Sequence, residues 1–200
     1  GAGVKLVRVL GNLTTKEFDP ILMLDSFDSI NPDDYTAGFP MHPHRGIETI
    51  SYVSRGKMVH RDSLGNEAGI SDGEVQWMNS GSGIMHEEMV PAAERLLGVQ
   101  LWLNLPAKDK MSKPSYNSIK NEDIKEIEIE GGKIRLLAGK YGEHEGYKGD
   151  YLSMDYYDIH LNADAEVTLT MEEDDSVMVF TLLGDVYIDG EHIEEKTAVK

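Results

Sequence analysis

The sequence predicts an all-β protein, on three observations. Short apolar-rich stretches follow one another at intervals of about 8–12 residues, each closed by a cluster of Gly, Asn, Asp or Ser. Several of them alternate apolar and polar side chains with a period of two, the repeat of a strand with one buried face. Between residues 46 and 89 the turns come too close together to leave room for helices. Neighbouring strands are therefore expected to pair antiparallel, as in a sandwich or a barrel.

Taken in order, Val4-Lys5-Leu6-Val7-Arg8-Val9-Leu10 alternates apolar and basic residues and stops at Gly11-Asn12, a half-buried strand and its turn. Residues 21–25 read as a more buried strand, and residues 26–36, with Asn31-Pro32-Asp33-Asp34, as a loop. Strands follow over 48–53, 57–62, 68–70 and 75–78, separated by turns at Gly56, Ser63-Leu64-Gly65-Asn66 and Ser71-Asp72-Gly73. Gly81, Ser82 and Gly83 break the chain before His86. Residues 97–105 alternate cleanly, with Leu97, Val99, Leu101, Leu103 and Leu105 on one face and Gly98, Gln100, Trp102 and Asn104 on the other. Residues 108–116 look like a connector and residues 119–124 like one helical turn, so a domain boundary is expected near residue 118. Beyond it, strands are expected over 133–139, 152–161, 166–170, 176–182 and 185–188.

Composition excludes several functions. Acids outnumber bases 36 to 19 for a net charge of -17, which disfavours binding to a phosphate backbone, since that binding is driven by Lys and Arg. No apolar run approaches a membrane span. Zero Cys rules out disulfides and thiolate ligands and fits a reducing interior, so cytoplasm is the expected compartment. The opening Gly1-Ala2-Gly3-Val4 has neither a methionine nor a signal segment and reads as a processed or trimmed start.

The chemistry concentrates in two short motifs. In His42-Pro43-His44 the imidazoles are two residues apart, so a strand places both on one face, where they can converge on one ion. In His86-Glu87-Glu88 the same spacing aims His86 and Glu88 together and turns Glu87 outward. A lone His-x-His pair arises often by chance. Two same-face pairs in one chain are harder to dismiss. Three histidines and a carboxylate with open positions suit a first-row metal that also takes a substrate or dioxygen, and the set would accept Fe, Mn, Co, Ni, Cu or Zn. His60, His144, His160 and His192 read as packed or solvated side chains.

These residues resemble the pirin family of the cupin superfamily. The resemblance is carried by Asp19-Pro20-Ile21-Leu22-Met23-Leu24-Asp25, residues 38–48, Gly73-Glu74-Val75-Gln76-Trp77-Met78, residues 81–89 and Leu101-Trp102-Leu103-Asn104-Leu105-Pro106. Weaker matches follow at 134–139, 157–161 and 184–188. The resemblance implies two cupin-type β-barrel or jelly-roll domains in tandem: a metal-binding cupin over 1–118 and a metal-free cupin-like domain over 119–200. The second is expected to be incomplete, because pirins usually continue beyond the point reached at Lys200. One residue more separates Glu48 from Gly56 than is usual in cupins, and Gly81 stands where a Pro is common; pirins share such departures.

The resemblance also implies iron ligation, with Fe(II) the expected metal and His42, His44, His86 and Glu88 as ligands. Glu48, which holds the place of the carboxylate ligand of many other cupins, falls outside that set. The activity implied is that of a quercetin 2,3-dioxygenase, acting on a flavonol and dioxygen; since Glu87 faces away by strand alternation, Glu88 is then expected to be the general base for the flavonol hydroxyl. The alternative implied is a non-catalytic metal-binding regulator that binds partner proteins. Neither direct nucleic-acid binding nor a membrane is expected.

Overall fold

A computed structural model describes residues 3–200; the Gly1-Ala2 start lies outside the described residues. Strand accounts for 49% of the chain and helix for 3%, so the protein is all-β. The first ten strands are β1 (Val7–Leu10), β2 (Ile21–Ser29), β3 (Phe39–His44), β4 (Ile47–Arg55), β5 (Lys57–Asp62), β6 (Glu67–Ser71), β7 (Glu74–Asn79), β8 (Ile84–Met89), β9 (Leu96–Asn104) and β10 (Ser115–Ile119). They form two antiparallel sheets, ordered β1-β2-β9-β4-β7-β10 and β3-β8-β5-β6.

The period-two alternation of β9 explains how the six-stranded sheet carries two environments. Val99, Leu101 and Leu103 pack with Leu24, Ile50, Tyr52, Val75 and Trp77 in one apolar layer. That layer is shared with Leu137 and Ala138 of the C-terminal region, and with the partly buried Tyr147, Leu152, Tyr156 and Phe180. The opposite face looks toward the four-stranded sheet. There Phe27 and Val53 meet Met58 and Ile70 in a second cluster. Each large side chain so buried contributes roughly 1.5–3 kcal/mol.

The C-terminal region has a three-stranded sheet of β11 (Lys125–Ile129), β12 (Gly132–Ala138) and β15 (Tyr156–Leu161). Three short pairs complete it: β13 (Lys140–Tyr141) with β14 (His144–Glu145), β16 (Val179–Phe180) with β19 (Ala198–Val199), and β17 (Val186–Ile188) with β18 (Glu191–Ile193).

Several sequence expectations are corrected. The first strand begins only at Val7, because the Lys5 N–H donates to Asp34 O rather than to a ladder. The expected loop over 26–36 is strand as far as Ser29, since Asp28 and Ser29 find partners in Leu97 and Leu96 of the long β9. The connector over 108–116 ends in β10, which pairs with β7 from Ser115↔Asn79 onward. The helical turn over 119–124 shrinks to a 3-10 turn at Asn121–Asp123. Residues 166–170 form no strand, and 176–182 and 152–161 do so only at Val179–Phe180 and Tyr156–Leu161. Alternation offers a buried face, but a strand forms only where a neighbour completes the hydrogen bonds.

Gly81 has a physical reason to be glycine. Its φ is +41°, and a Cβ there would lie 2.1 Å from Ser112 O. The turn entering β8 therefore packs directly against the 112–113 backbone. Among the described residues, no helix is long and apolar enough to cross a membrane.

Candidate metal centre

The centre is built on the face of the four-stranded sheet that looks toward the six-stranded one. Strand β8 runs between β3 and β5, with His86 directly opposite His42 on one side and Asp62 on the other. Glu88 lies opposite His60. On β8 the side chains of Ile84, His86 and Glu88 are buried while Met85 is exposed and Glu87 half-buried, the two-residue repeat expected of a strand. Glu87 turns away, 3.8 Å from Arg61. Pro43 sits between the two histidines of β3, an edge strand, where a residue without an N–H is tolerated. A register shift between Phe39 and His42 brings the imidazole pair level with His86.

Three imidazoles converge. His42 Nε2 lies 3.0 Å from His44 Nε2 and 3.1 Å from His86 Nε2, and the three ligand atoms are all within 4.8 Å of one another. Two nitrogens at about 2.0–2.1 Å from a common ion, at right angles, are about 3 Å apart, so the His42–His44 and His42–His86 spacings each suit two ligands of one first-row metal ion. His42 Nδ1 is 2.7 Å from Pro40 O, a carbonyl that can only accept, so Nδ1 carries a proton and Nε2 is the nitrogen turned to the cluster. Burial, with neighbouring His42, pushes the His44 pKa down to about 4. Burial, reinforced by His42, His44 and His60, pushes that of His86 down to about 2. Neutral imidazole is the form that binds a metal.

Glu88 is buried beside this cluster. Its Oε1 accepts from Gln76 Nε2 and, at 3.1 Å, from Gln100 Nε2, which also lies 3.2 Å from Oε2. Burial raises its pKa above the usual carboxylate value, outweighing the Gln100, His42, Gln76 and Ser51 contributions that lower it. The three-histidine group within 4.8 Å does not include this carboxylate. Glu48 alternates with Ile50 and Tyr52 on β4 and so points to the apolar layer behind the sheet, with its Oε2 buried and unpartnered. Burial raises its pKa too.

Sequence reasoning missed His60, Gln76 and Gln100, which touch the cluster or Glu88, and Asp62, which touches His60. His60, read as a packed side chain, is indeed stacked on Tyr116 at 3.9 Å and 12°, but its Nδ1 is also 3.3 Å from His86 Nδ1. Its Nε2 is 2.9 Å from Asp62 Oδ2. The His60-Arg61-Asp62 spacing repeats the same-face signal of the other two motifs and could have found both. Gln76 and Gln100 were invisible because strand register, not spacing, brings them to Glu88.

A cavity of about 540 Å³ opens beside the histidines, lined by His42, His44, Met23, Phe39, Ile47 and Trp102, among others. Trp102 meets His44 edge-on at 4.9 Å. Arg8 and Asp25, which share two hydrogen bonds of 2.8 and 2.9 Å, form part of the wall. A hollow of about 570 Å³ between the 128–133 and 160–162 segments contains none of the three histidines.

Comparison with known proteins gives concordant matches. The Pirin family model matches residues 3–103. A Pseudomonas aeruginosa protein named "Putative quercetin 2,3-dioxygenase" is 42% identical over 198 residues, covering 96% of this chain and 70% of its own. Human pirin is 34% identical over 200 residues, covering 98% and 67%. A crystal structure of quercetin 2,3-dioxygenase from Acinetobacter baumannii superposes with a TM-score of 0.89 at 31% identity, covering 99% of this chain and 73% of that one.

Proposed function

The chain belongs to the pirin family, and on that premise we propose that it is a metal-dependent dioxygenase that opens flavonols such as quercetin with dioxygen. The observation that carries this reading is the cluster of three imidazoles, two of which, His42 and His44, line a cavity of about 540 Å³, a size within the usual range of small-molecule sites. In this reading His42, His44, His86 and Glu88 hold one divalent metal. Fe(II) is the metal expected, and Mn, Co, Ni, Cu and Zn suit the same donors. Residues 1–118 then act as the metal-binding cupin and residues 119–200 as a metal-free cupin-like domain.

When bound, the metal supplies Lewis-acid activation of the substrate toward dioxygen. The chain supplies the rest. Met23, Phe39, Ile47 and Trp102 give an apolar and aromatic wall against which a flat flavonol packs and from which water is excluded. Glu88, the buried carboxylate beside the cluster, accepts the flavonol hydroxyl proton at the oxygen that does not hold the metal. Gln100, which lines the cavity and donates to both oxygens of Glu88, links the substrate wall to that base.

The test is turnover. Protein loaded in turn with each candidate metal is mixed with quercetin without oxygen and then exposed to it, following flavonol absorbance and oxygen uptake. Metal-dependent loss of flavonol matched by oxygen consumption, abolished in His86→Ala, is the expected result. Metal binding without turnover for every metal would overturn it in favour of a non-catalytic metal-binding regulator.

A further inference from the structure

Behind the histidine cluster, a line of hydrogen-bonding groups runs from His86 through His60 to Asp62. Its far end is fixed. Asp62 Oδ1 accepts from the Leu64 N–H at 2.9 Å and the Asn66 N–H at 3.1 Å, and Oδ2 accepts from Asn66 Nδ2 at 2.8 Å. Every polar neighbour of the carboxylate other than His60 is an N–H donor, so both of its oxygens serve as acceptors. An ionised carboxylate can only accept, so His60 Nε2, 2.9 Å from Oδ2, carries a proton.

His60 has no solvent exposure and is stacked on Tyr116, so water reaches neither ring nitrogen and each must find its partner within the protein. With the proton on Nε2, its Nδ1 is a bare acceptor. The partner of that acceptor is His86 Nδ1 at 3.3 Å, which must then donate. One proton on Nδ1 leaves His86 Nε2 as a lone pair, and this is the atom 3.1 Å from His42 Nε2. His42 reaches the same tautomer independently through Pro40 O.

We propose that Asp62 and His60 are positioning residues that dictate the tautomer of His86 and so keep its Nε2 open to a metal ion. The proposal rests on the reading of His86 as a metal ligand. It assigns a purpose to a buried His-Asp pair that the dioxygenase chemistry does not itself use. Back-side partners of this kind fix the ring orientation and the metallated nitrogen of a ligand histidine.

Asp62→Asn is the informative change. An amide whose oxygen keeps the turn bonds to the 64 and 66 N–H groups presents its NH2 to His60 Nε2. His60 must then accept there, move its proton to Nδ1 and donate to His86 Nδ1. His86 is left with its proton on Nε2, the nitrogen facing the cluster. Each imidazole keeps a single proton; in both rings it moves to the other nitrogen.

The readouts are nitrogen-15 NMR of the imidazoles in metal-free protein and titration with Co(II) as the probe. In the wild type, His60 is expected as the Nε2–H and His86 as the Nδ1–H tautomer. In Asp62→Asn both invert, and Co(II) affinity falls by about tenfold to a hundredfold. Because Asp62 also anchors the 63–66 turn, His60→Phe serves as a second variant. It retains an aromatic ring against Tyr116 and leaves those turn bonds in place, and it is expected to weaken Co(II) by a similar factor. An Nδ1–H tautomer of His86 that survives Asp62→Asn overturns the proposal, as does wild-type Co(II) affinity in His60→Phe. A wild-type protein that shows the expected tautomers yet binds no Co(II) would instead sink the metal-ligand reading and leave the tautomer assignment standing.

Discussion

Replacing Glu88 by glutamine should separate function from stability. The carboxylate is 2% exposed, and its partners are known: Gln76 and Gln100 donate to Oε1, and Gln100 also approaches Oε2 at 3.2 Å. A glutamine with its oxygen in the Oε1 position keeps the first two contacts and turns an amide donor toward Gln100 at the third. The loss is one share of charge-assisted hydrogen bonding, about 1.5–3 kcal/mol at most. Against it, the variant no longer buries a charge. The folded-state pKa of Glu88 in metal-free protein is raised above its reference value of 4.5. Its stabilising contribution is therefore complete below the unfolded pKa and lost as pH rises through the folded one. Metal-free Glu88→Gln should melt at or below wild type in acid and gain on it steadily as the pH rises. Metal-loaded flavonol turnover should fall by roughly 10²–10⁴-fold, the loss typical of a general base. Calorimetry across pH and oxygen uptake on the same samples give both numbers. Turnover within about threefold of wild type, in a variant carrying its metal, would refute the assignment of Glu88 as base.

Three further outcomes follow from other parts of the molecule. Ile50→Ala, at a position with no exposure in the apolar layer behind the sheet, should cost about 2–5 kcal/mol in urea unfolding; a cost below about 1 kcal/mol would mean the layer is not packed as described. Glu74 accepts from the Ser71 N–H, Lys120 Nζ and the Asn121 N–H at 2.9, 3.0 and 3.3 Å. Burial works to raise its pKa but these donors bring it below 4.5. Its contribution is thus present above the unfolded pKa and lost as pH falls through the folded one, and Glu74→Gln should flatten the acid limb of the stability curve in denaturant melts. Excess chelator should lower the melting temperature of metal-loaded protein, since a ligand at about a hundred times its Kd stabilises by about 2.7 kcal/mol; scanning calorimetry showing identical transitions would contradict a folded-state metal site.

Much of this architecture was legible because it follows from a period of two. The spacing of His42 and His44, and of His86 and Glu88, placed each pair on one face, and the structure brings the three imidazoles within reach of a single ion. The alternation over 97–105 likewise separated Val99, Leu101 and Leu103, which enter the apolar layer, from Gln100 and Trp102, which line the cavity. What escaped was whatever depends on register between strands. Gln76 and Gln100 reach Glu88 from β7 and β9, and no local pattern announces which residue of one strand faces which residue of another. The shift at 39–42 that brings His42 level with His86 is hidden for the same reason. Residues 166–170 carry a strand-like alternation yet form no strand, because alternation shows that a face could be buried and not that a partner is present to pair with.

The central claim is that His42, His44, His86 and Glu88 hold one metal ion in the wall of the cavity. X-ray absorption spectroscopy on protein reconstituted with one equivalent of Fe(II), kept free of oxygen, measures this directly. The account predicts a shell of nitrogen and oxygen donors at about 2.0–2.2 Å with the multiple-scattering signature of three imidazoles, reduced to two in His86→Ala. A spectrum that shows only light, water-like scatterers with no imidazole signature, or one unchanged by His86→Ala, would contradict it.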